Sequence, residues 1–323
     1  NHTSTIGGFD HIIDPRKYEK QTDYYKKSEV DNLLSIIDND KWVDKLRSEY
    51  LLGEPSIVAE SYGILPIDAA GNADFDNPLF FRNVSSARYP ASLTKVLTAL
   101  VALESSLELS DMITIASEDK VGGSGNNLDI GEQISFEDAL YNMMLPSSNV
   151  TAAAVARTVG SLNGGNGLSD FVDLMNAKAV SIGMTDSHFE NPTGLRDIQQ
   201  LVTLSDMFRL GHAAVTNPVL RDIWSAGRRD MYVTGDESRV KTVYSSFEEV
   251  RSNYWCLGGK TGTLLGSYTN IMCHVALQNG YKGILVILKS NGQQNRIDDA
   301  LKITNYVRNS YSYPSPSIIT RNP

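Results

Sequence analysis

The sequence predicts an α+β fold, in which an inserted all-helical subdomain interrupts one central antiparallel sheet. Two observations support this class. β-like stretches lie near both ends of the 323-residue chain, and the region between them shows helical periodicity instead. One sheet must therefore be assembled from segments that are distant in sequence. The predicted strands are 57–68, 78–84, 254–263, 268–277 and 283–288.

The first elements follow from local composition. Residues 1–50 are rich in charge and tyrosine, with predicted helices at 30–37 and 41–51, and are expected to form an N-terminal helical appendage. The sequence AAGN at 69–72 supplies turn chemistry between the first two strands, which are therefore predicted to form a hairpin. Ser92–Leu103 is apolar on nearly every side, as is typical of a helix buried in a core.

The remaining helices are separated by loops rich in Gly, Asn, Pro and Ser. They are predicted at Ser135–Leu145, Val150–Val159, Leu168–Ile182, Leu201–Val215, Pro218–Trp224 and Asn295–Asn309. These elements predict a main domain at 51–312, with its helical subdomain at roughly 105–240, and a tail or linker at 313–323.

Composition argues against several classes of function. Asp and Glu total 38 against 29 Lys and Arg, a net charge of −9, so a nucleic-acid partner is not expected. No apolar run approaches the roughly 20 residues that cross a bilayer. The chain begins at Asn1 without a signal-type leader, so processing or trimming is expected, and membrane contact would involve only segments absent from this sequence. The two cysteines form no CxxC pair and the five histidines are scattered, so no metal or other cofactor is predicted.

Three short motifs could carry chemistry: Ser92-Leu93-Thr94-Lys95, Ser147-Ser148-Asn149 and Lys260-Thr261-Gly262. The first two patterns are common and mean little alone. They recur as SxxK at Ser117–Lys120 and Ser238–Lys241, and as SxN at Ser124–Asn126 and Ser161–Asn163. Those copies lie in acidic, polar or Gly-rich stretches, for which solvent exposure is the ordinary interpretation.

Context favours Ser92 and Lys95. Ser92 begins the predicted buried helix, where first-turn N–H groups and the positive end of the helix dipole favour developing negative charge. Lys95 lies one turn further along the same face. If that face borders a cleft, desolvation lowers the pKa of Lys95 and makes its neutral amine a base for the Ser92 hydroxyl. The alternative is that Lys95 extends past the apolar helix to solvent.

The other two motifs occupy a corner and a strand. Ser147 and Asn149 follow Pro146 in a short polar corner between two predicted helices, which can aim a hydroxyl and an amide at one point. Lys260–Gly262 ends a predicted strand that also contains Gly258 and Gly259. Glycine in a strand lets another backbone approach closely, as an extended substrate along a sheet edge would.

These motifs, in this order, resemble those of the penicillin-recognising serine enzymes, the superfamily of penicillin-binding proteins and serine β-lactamases. The sequence looks most similar to the low-molecular-mass D-alanyl-D-alanine carboxypeptidases, over most of Ile57–Tyr311. Arg88–Lys95 resembles the R-x-P-A-S-L-T-K segment of that family. Further similar segments are Leu128–Ser135, Gly183–Leu195 and Asp299–Leu301. The resemblance implies an α/β/α sandwich of the β-lactamase/transpeptidase type.

The resemblance also implies catalytic roles. Ser92 would attack the carbonyl of a terminal D-Ala-D-Ala bond while Lys95 removes its proton. Ser147 would relay a proton to the leaving D-alanine. The product of these steps is an acyl-enzyme on Ser92, which water would hydrolyse.

Substrate binding is implied by the same resemblance, at Asn149, Lys260, Thr261, Gly262 and Thr263. Asn149 would hold the amide on the acyl side, and Lys260 would add positive potential to the cleft. The backbone N–H groups of Ser92 and Thr263 would form the oxyanion hole. The hydroxyls of Thr261 and Thr263 would hold the terminal carboxylate of the substrate.

The sequence departs from the family pattern in three places. Thr203–Met207 reads TLSDM where the family usually has T-A-R-D-M, so an arginine is missing and recognition of the substrate carboxylate is expected to differ. Thr263–Ser267 replaces a longer turn, so the hairpin after the KTG motif is expected to be altered. Neither a β-sandwich domain nor a basic amphipathic helix follows Tyr313 in this sequence.

The expected function is therefore that of a serine D-Ala-D-Ala carboxypeptidase that acts on peptidoglycan stem peptides. The enzyme is expected in the bacterial envelope or secreted, with β-lactams as covalent inhibitors.

Three alternative functions share these motifs. A class A-like β-lactamase would need a Glu four residues before an Asn on the loop after SxN. Glu190 is followed at once by Asn191, so slow deacylation is expected. A penicillin sensor shares the motifs but is normally tethered to a transmembrane segment and an output domain. A D,D-endopeptidase shares every motif and differs in how open its cleft is.

The two cysteines form a separate prediction. Cys256 and Cys273 fall on consecutive predicted strands whose connection lies near Leu264–Gly266, which would place the two residues opposite each other. Opposed positions in an antiparallel hairpin have Cβ atoms about 4.5–5.5 Å apart. A disulfide needs Cβ atoms about 3.8 Å apart, so free thiols are expected.

Overall fold

The computed structural model describes residues 54–235, 238–311 and 313. The predicted appendage at 1–50 lies outside these residues, as does the predicted tail at 313–323 apart from Tyr313. The strands of the described part are β1 Ser61–Ile67, β2 Leu79–Arg82, β3 Met112–Thr114, β4 Gln133–Ser135, β5 Arg228–Val233, β6 Arg239–Tyr244, β7 Cys256–Leu264, β8 Tyr268–Ala276 and β9 Lys282–Asn291.

The helices of the same residues are α1 Thr94–Leu103, α2 Phe136–Met144, α3 Asn149–Gly160, α4 Leu168–Ser181, α5 Leu204–Thr216, α6 Pro218–Ser225, α7 Glu248–Arg251 and α8 Gln293–Ser310. Short 3₁₀ turns lie at Ala91–Leu93, Ser117–Asp119 and Leu162–Gly164. None of these helices is long and apolar enough to cross a membrane.

Five strands form one antiparallel sheet in the order β2-β1-β9-β8-β7. β1 pairs with β9 along its whole length, from Ser61 opposite Leu288 to Ile67 opposite Lys282, so the two ends of the domain meet in the middle of the sheet. The predicted α+β class and the assembly of one sheet from distant segments are therefore confirmed.

The sheet is covered on both faces because successive strand residues point to opposite sides. On β8, Met272 joins the core between the sheet and helices α1–α6, whereas Ile271 and Cys273 join the core between the sheet and α8. The result is three layers, helices on sheet on helix, as the resemblance implied. The edge strand β7 borders the helical layer, and among the described residues it pairs with another strand along one side only.

The inserted region is not all-helical, which corrects that part of the prediction. Two two-stranded antiparallel sheets, β3 with β4 and β5 with β6, lie within it. β3 and β4 have three residues each, too few to show a period of two. The β5–β6 hairpin packs Met231 and Val243 against Leu145 and buries Val233 in the main core, and its charged residues hide the alternation.

Helix starts are shifted from their predicted positions by side-chain caps. The helix predicted at 201–215 begins at Leu204, because the hydroxyl of Thr203 accepts a hydrogen bond from the Asp206 N–H at 3.2 Å. Ser135 and Ser148 cap α2 and α3 in the same way. The turn at 69–72 forms, and β1 pairs with β2 in the antiparallel sense, so the predicted hairpin is confirmed.

Candidate active site

Ser92 lies in the 3₁₀ turn that precedes α1, not inside the α-helix as predicted. The preceding Ala91 has φ +50°, a conformation that strains a residue with a Cβ. Gly194 packs directly on this turn, and a Cβ at that position would stand 1.8 Å from the Ala91 carbonyl oxygen and 2.8 Å from the Ser92 nitrogen. Gly194 therefore lets a second backbone segment support the strained turn that presents Ser92.

Lys95 is fully buried, and its amine meets three oxygen atoms. Nζ donates to Asn149 Oδ1 at 2.7 Å and to the Thr193 carbonyl at 2.7 Å, and it lies 2.9 Å from Ser92 Oγ. Burial, followed by the positive charge of Lys260, holds the pKa of Lys95 well below its usual value. A neutral amine has two protons and one lone pair. The Asn149 and Thr193 oxygens can only accept hydrogen bonds. The two N–H groups of the neutral amine therefore point at these oxygens, and the lone pair faces the Ser92 hydroxyl.

Lys260 has a similar environment, with its amine bonded to a serine hydroxyl and a backbone carbonyl. Its side chain is 1% exposed, and Nζ donates to Ser147 Oγ and to the Thr261 carbonyl, both at 2.8 Å. Ser147 sits in the corner between α2 and α3 with φ +64°, a second strained position. Burial, then the charge of Arg296, lowers the pKa of Lys260 to about 7. The Lys260 amine can therefore gain or lose a proton near neutral pH.

Asn149, the first residue of α3, is engaged at both ends of its carboxamide. Oδ1 accepts from Lys95, and Nδ2 donates to the Gly122 carbonyl at 2.9 Å. A Cβ on Gly123 would stand 2.4 Å from Nδ2, so the glycines let this loop close over the amide. Asn149 thus fixes the position of Lys95, and its role in holding the substrate amide stays a prediction.

The KTG segment lies on β7 and faces the turn that contains Ser92. A Cβ on Gly262 would stand 3.1 Å from the Ser92 nitrogen, which shows how closely the edge strand approaches Ser92. Thr263 is exposed, whereas Thr261 is buried, with 8% of its surface exposed. An edge strand leaves alternate backbone N–H groups without a strand partner, and such groups can bind an extended substrate or an oxyanion.

Three residues of the site were missed by sequence reasoning. Thr193 supplies a carbonyl, which no side-chain pattern reveals. Ser246 contacts the Thr261 hydroxyl, with 3.0 Å between the two Oγ atoms, while its N–H donates to the Leu145 carbonyl at 3.0 Å. Ser246 therefore joins the KTG strand to the corner that carries Ser147, although nothing in its own sequence neighbourhood marks it.

Arg296, the third missed residue, lies on α8 and is 5% exposed. Nη1 donates to the Gly262 carbonyl at 3.2 Å and to Thr263 Oγ1 at 3.1 Å. Within the residues that the structure describes, Nε has no acceptor, and burial lowers the pKa of the guanidinium to about 10. The sequence signal that could have identified Arg296 is its position next to Ile297, on the apolar face of the predicted last helix.

The competing copies of the motifs are not assembled into a site. Lys120 Nζ donates to Asn126 Oδ1 and the Leu128 carbonyl, and Ser117 donates to Glu118. Glu190 lies 2.9 Å from His188 Nε2. This contact agrees with the interpretation of Glu190 as a loop charge rather than a base that activates water.

The three-layered fold places a serine beside a buried lysine, an arrangement that suits a serine hydrolase. The family can be stated as well. Residues 55–292 match the model of the peptidase S11 family, the D-alanyl-D-alanine carboxypeptidases, and the chain belongs to that family. The predicted membership among low-molecular-mass penicillin-binding proteins is confirmed.

Individual relatives carry two different names. A D-alanyl-D-alanine endopeptidase of Pseudomonas aeruginosa is 35% identical over 149 residues, which is 46% of this chain and 46% of that protein. A D-alanyl-D-alanine carboxypeptidase of Streptomyces sp. strain K15 is 26% identical over 239 residues, 71% of this chain and 81% of the relative. The crystal structure of the Streptomyces K15 DD-transpeptidase has the same fold, with a TM-score of 0.69 and 24% identity over 78% of this chain and 98% of that one.

Proposed function

We propose that the protein is a serine D-Ala-D-Ala carboxypeptidase that removes the terminal D-alanine of peptidoglycan stem peptides, outside the cytoplasm, through an acyl-enzyme on Ser92. The observation that carries this proposal is the environment of Lys95. Two oxygens that can only accept hydrogen bonds bind both N–H groups of its neutral amine, so the lone pair of the amine faces Ser92 Oγ at 2.9 Å. We assign the activity to a catalytic unit at 51–312 with its subdomain at roughly 105–240.

Acylation follows from these contacts. Lys95 takes the Ser92 proton as Oγ attacks the carbonyl of the penultimate D-alanine, and the N–H groups of Ser92 and Thr263 stabilise the oxyanion. Ser147, held by Lys260, relays the proton that Lys95 took to the departing nitrogen as the C–N bond breaks, so Lys95 is again neutral and Ser147 keeps its hydroxyl. Water then attacks the ester and returns a proton to Ser92, which restores the enzyme.

Recognition of the terminal carboxylate is proposed to involve Arg296 together with the Thr261 and Thr263 hydroxyls. The family arginine expected near position 205 is replaced by Ser205. Arg296 brings a buried guanidinium to Thr263 from α8, with its Nε left without an acceptor in the described part of the chain. A carboxylate is the acceptor that suits such a group.

A second candidate function is D,D-endopeptidase activity on peptidoglycan cross-links. The name of the Pseudomonas aeruginosa relative, at 35% identity, favours it. A cross-link whose diamino acid keeps a free carboxylate next to the scissile bond would satisfy the same Arg296 and threonine contacts. The two activities therefore share the chemistry and differ in the bulk of the leaving group.

β-Lactams are proposed to acylate Ser92 and to remain attached. Persistent acylation requires that no carboxylate activates water beside the ester. Glu190, the one candidate from sequence, is engaged with His188. Rapid turnover of a cephalosporin would instead indicate a β-lactamase.

The test uses three substrates: diacetyl-L-Lys-D-Ala-D-Ala, a cross-linked muropeptide dimer and a chromogenic cephalosporin. We expect release of D-alanine from the tripeptide, stoichiometric labelling by the cephalosporin and no labelling of Ser92→Ala. Ser117→Ala is the matched control, since it removes the serine of a second SxxK motif, and it should behave as wild type. A cephalosporin adduct mapped to any serine other than Ser92 would refute the assignment. Cleavage of the dimer alone would select the endopeptidase.

A further inference from the structure

Cys256 and Cys273 lie together on the face of the sheet that the catalytic residues do not use. Both are free thiols in the structure, with Sγ atoms 3.5 Å apart. The prediction that they stand directly opposite each other is wrong. β7 and β8 pair with Gly259 opposite Cys273 and with Val275 opposite Cys256. The two cysteines are therefore diagonal neighbours.

An irregularity in β7 brings the thiols to one face. The pairing shifts between Cys256 and Gly258, which adds one residue to β7 at Leu257. Without this extra residue, Cys256 would point to the same side as Lys260, because side chains alternate along a strand. With it, Cys256 packs beside Cys273 in the core against α8, while Lys260 points the other way toward Ser147.

We propose that Cys256 and Cys273 form an intramolecular disulfide by exchange with a disulfide oxidant. The Cys256 thiolate attacks one sulfur of the oxidant, which releases one thiol and leaves a mixed disulfide. Cys273 then loses its proton, attacks Cys256 Sγ and releases the second thiol. The cysteine pair gives up two electrons and two protons, and the oxidant is reduced to two thiols.

The two cysteines differ in a way that sets this order. Cys256 is half-buried, and the hydrogen bond from Cys273 lowers the pKa of its thiol. Cys273 has no exposed surface, and burial raises the pKa of its thiol well above the usual value. An oxidant in solution can reach Cys256, whereas Cys273 reacts only with a partner already beside it.

The bond would tie the first residue of β7 to the neighbouring strand. Of the strands that the structure describes, β7 lies at the edge of the sheet, and it carries the KTG segment. A cross-link at its start restricts the unfolded chain and opposes fraying of this strand. Because the bond lies on the α8 face, it leaves Lys260 and Ser147 in place.

Formation of the disulfide can be measured without any activity assay, so this test is independent of the proposed function. The protein is treated with oxidised glutathione, then alkylated with N-ethylmaleimide in denaturant, with and without prior reduction, and weighed intact. We expect no alkylation of the oxidised protein and two adducts after reduction. Cys256→Ser should show one adduct in both cases. Two adducts on the oxidised protein, a persistent glutathione adduct or a covalent dimer would each overturn the proposal.

Thermal unfolding of the oxidised and reduced forms tests the consequence. The oxidised wild type should unfold at a higher temperature, and the Cys256→Ser variant should show no change after the same treatment. Peptide mapping must locate the bond between residues 256 and 273. An unchanged or lower unfolding temperature would overturn the stabilising role of the bond.

Discussion

The two SxxK segments at Ser92 and Ser117 begin in the same local conformation. Each serine lies in a 3₁₀ turn, and each lysine follows three residues later. Lys95 is nevertheless fully buried and 2.9 Å from its serine, whereas the side chain of Lys120 is 26% exposed and bonded to Asn126 and Leu128. Identical spacing thus produces a serine–lysine pair in one region and a partly exposed lysine bonded to other groups in the other.

The difference arises from the chain that follows each turn. After Ala91–Leu93 the backbone continues into α1, so Lys95 stays on the side of Ser92 and enters the protein among apolar neighbours. After Ser117–Asp119 the helical conformation ends at Lys120, whose ψ of 59° directs the chain away. The spacing of a motif therefore acquires chemical meaning only when the secondary structure holds both residues on one face.

Replacing Lys95 with arginine should have the largest effect on the rate of acylation. Lys95→Arg keeps the positive charge but removes the base, because a guanidinium stays protonated. Acylation by penicillin should fall by on the order of 10² to 10⁴. Stopped-flow or labelling kinetics measure this rate. Lys120→Arg is the matched control and should acylate as wild type, and near-wild-type acylation by Lys95→Arg would remove Lys95 from the mechanism.

The pH dependence of acylation separates the two regions further. Below its lowered pKa, Lys95 carries a third proton and no lone pair, so it cannot accept the Ser92 proton. The acylation rate should therefore rise with pH through that pKa and level off above it. The charge of Lys260 is one cause of the lowered pKa. Lys260→Gln should consequently move the midpoint of the profile to higher pH, whatever its maximal rate.

The control for this profile is Lys120→Gln, which should leave the midpoint unchanged. The rate is measured by penicillin labelling across a series of buffers of constant ionic strength. A midpoint that moves to lower pH in Lys260→Gln would contradict the electrostatic coupling between the two buried lysines.

The adjacent residues Ser245 and Ser246 provide a second comparison, for which the expected change in activity is smaller. Ser246 contacts the Thr261 hydroxyl, whereas Ser245 Oγ accepts from the Phe247 N–H. If Thr261 donates to a substrate carboxylate, Ser246 must donate to Thr261, since a carboxylate only accepts. Ser246→Ala should then lower kcat/KM for a D-Ala-D-Ala acid by about fivefold, about 1 kcal/mol, and should spare the corresponding amide.

Ser245→Ala should lower kcat/KM equally for the acid and the amide substrate, or leave both values unchanged. Ser246→Thr keeps a hydroxyl and should recover the preference for the acid. An equal loss on both substrates in Ser246→Ala would show that the residue supports the fold of the site rather than recognition of the carboxylate.

Local pattern was enough to determine much of this protein. The buried helix at Ser92–Leu103, most helices of the inserted region and the strands near both ends were predicted, because periodicity and turn residues are properties of short segments. The three motifs were selected for the same reason, since the helix after Ser92 and the polar stretch around Ser117 are visible in the sequence. Family membership followed from the ordered motifs.

Tertiary packing decided what short segments could not. The carbonyl of Thr193 and the guanidinium of Arg296 reach the site from distant parts of the chain, and a backbone carbonyl carries no sequence signal. The face that Cys256 occupies depends on one extra residue in β7, because side chains alternate with a period of two and a shift of one reverses every face. The sequence determined which groups were available, and the register and packing of the chain decided which of them meet.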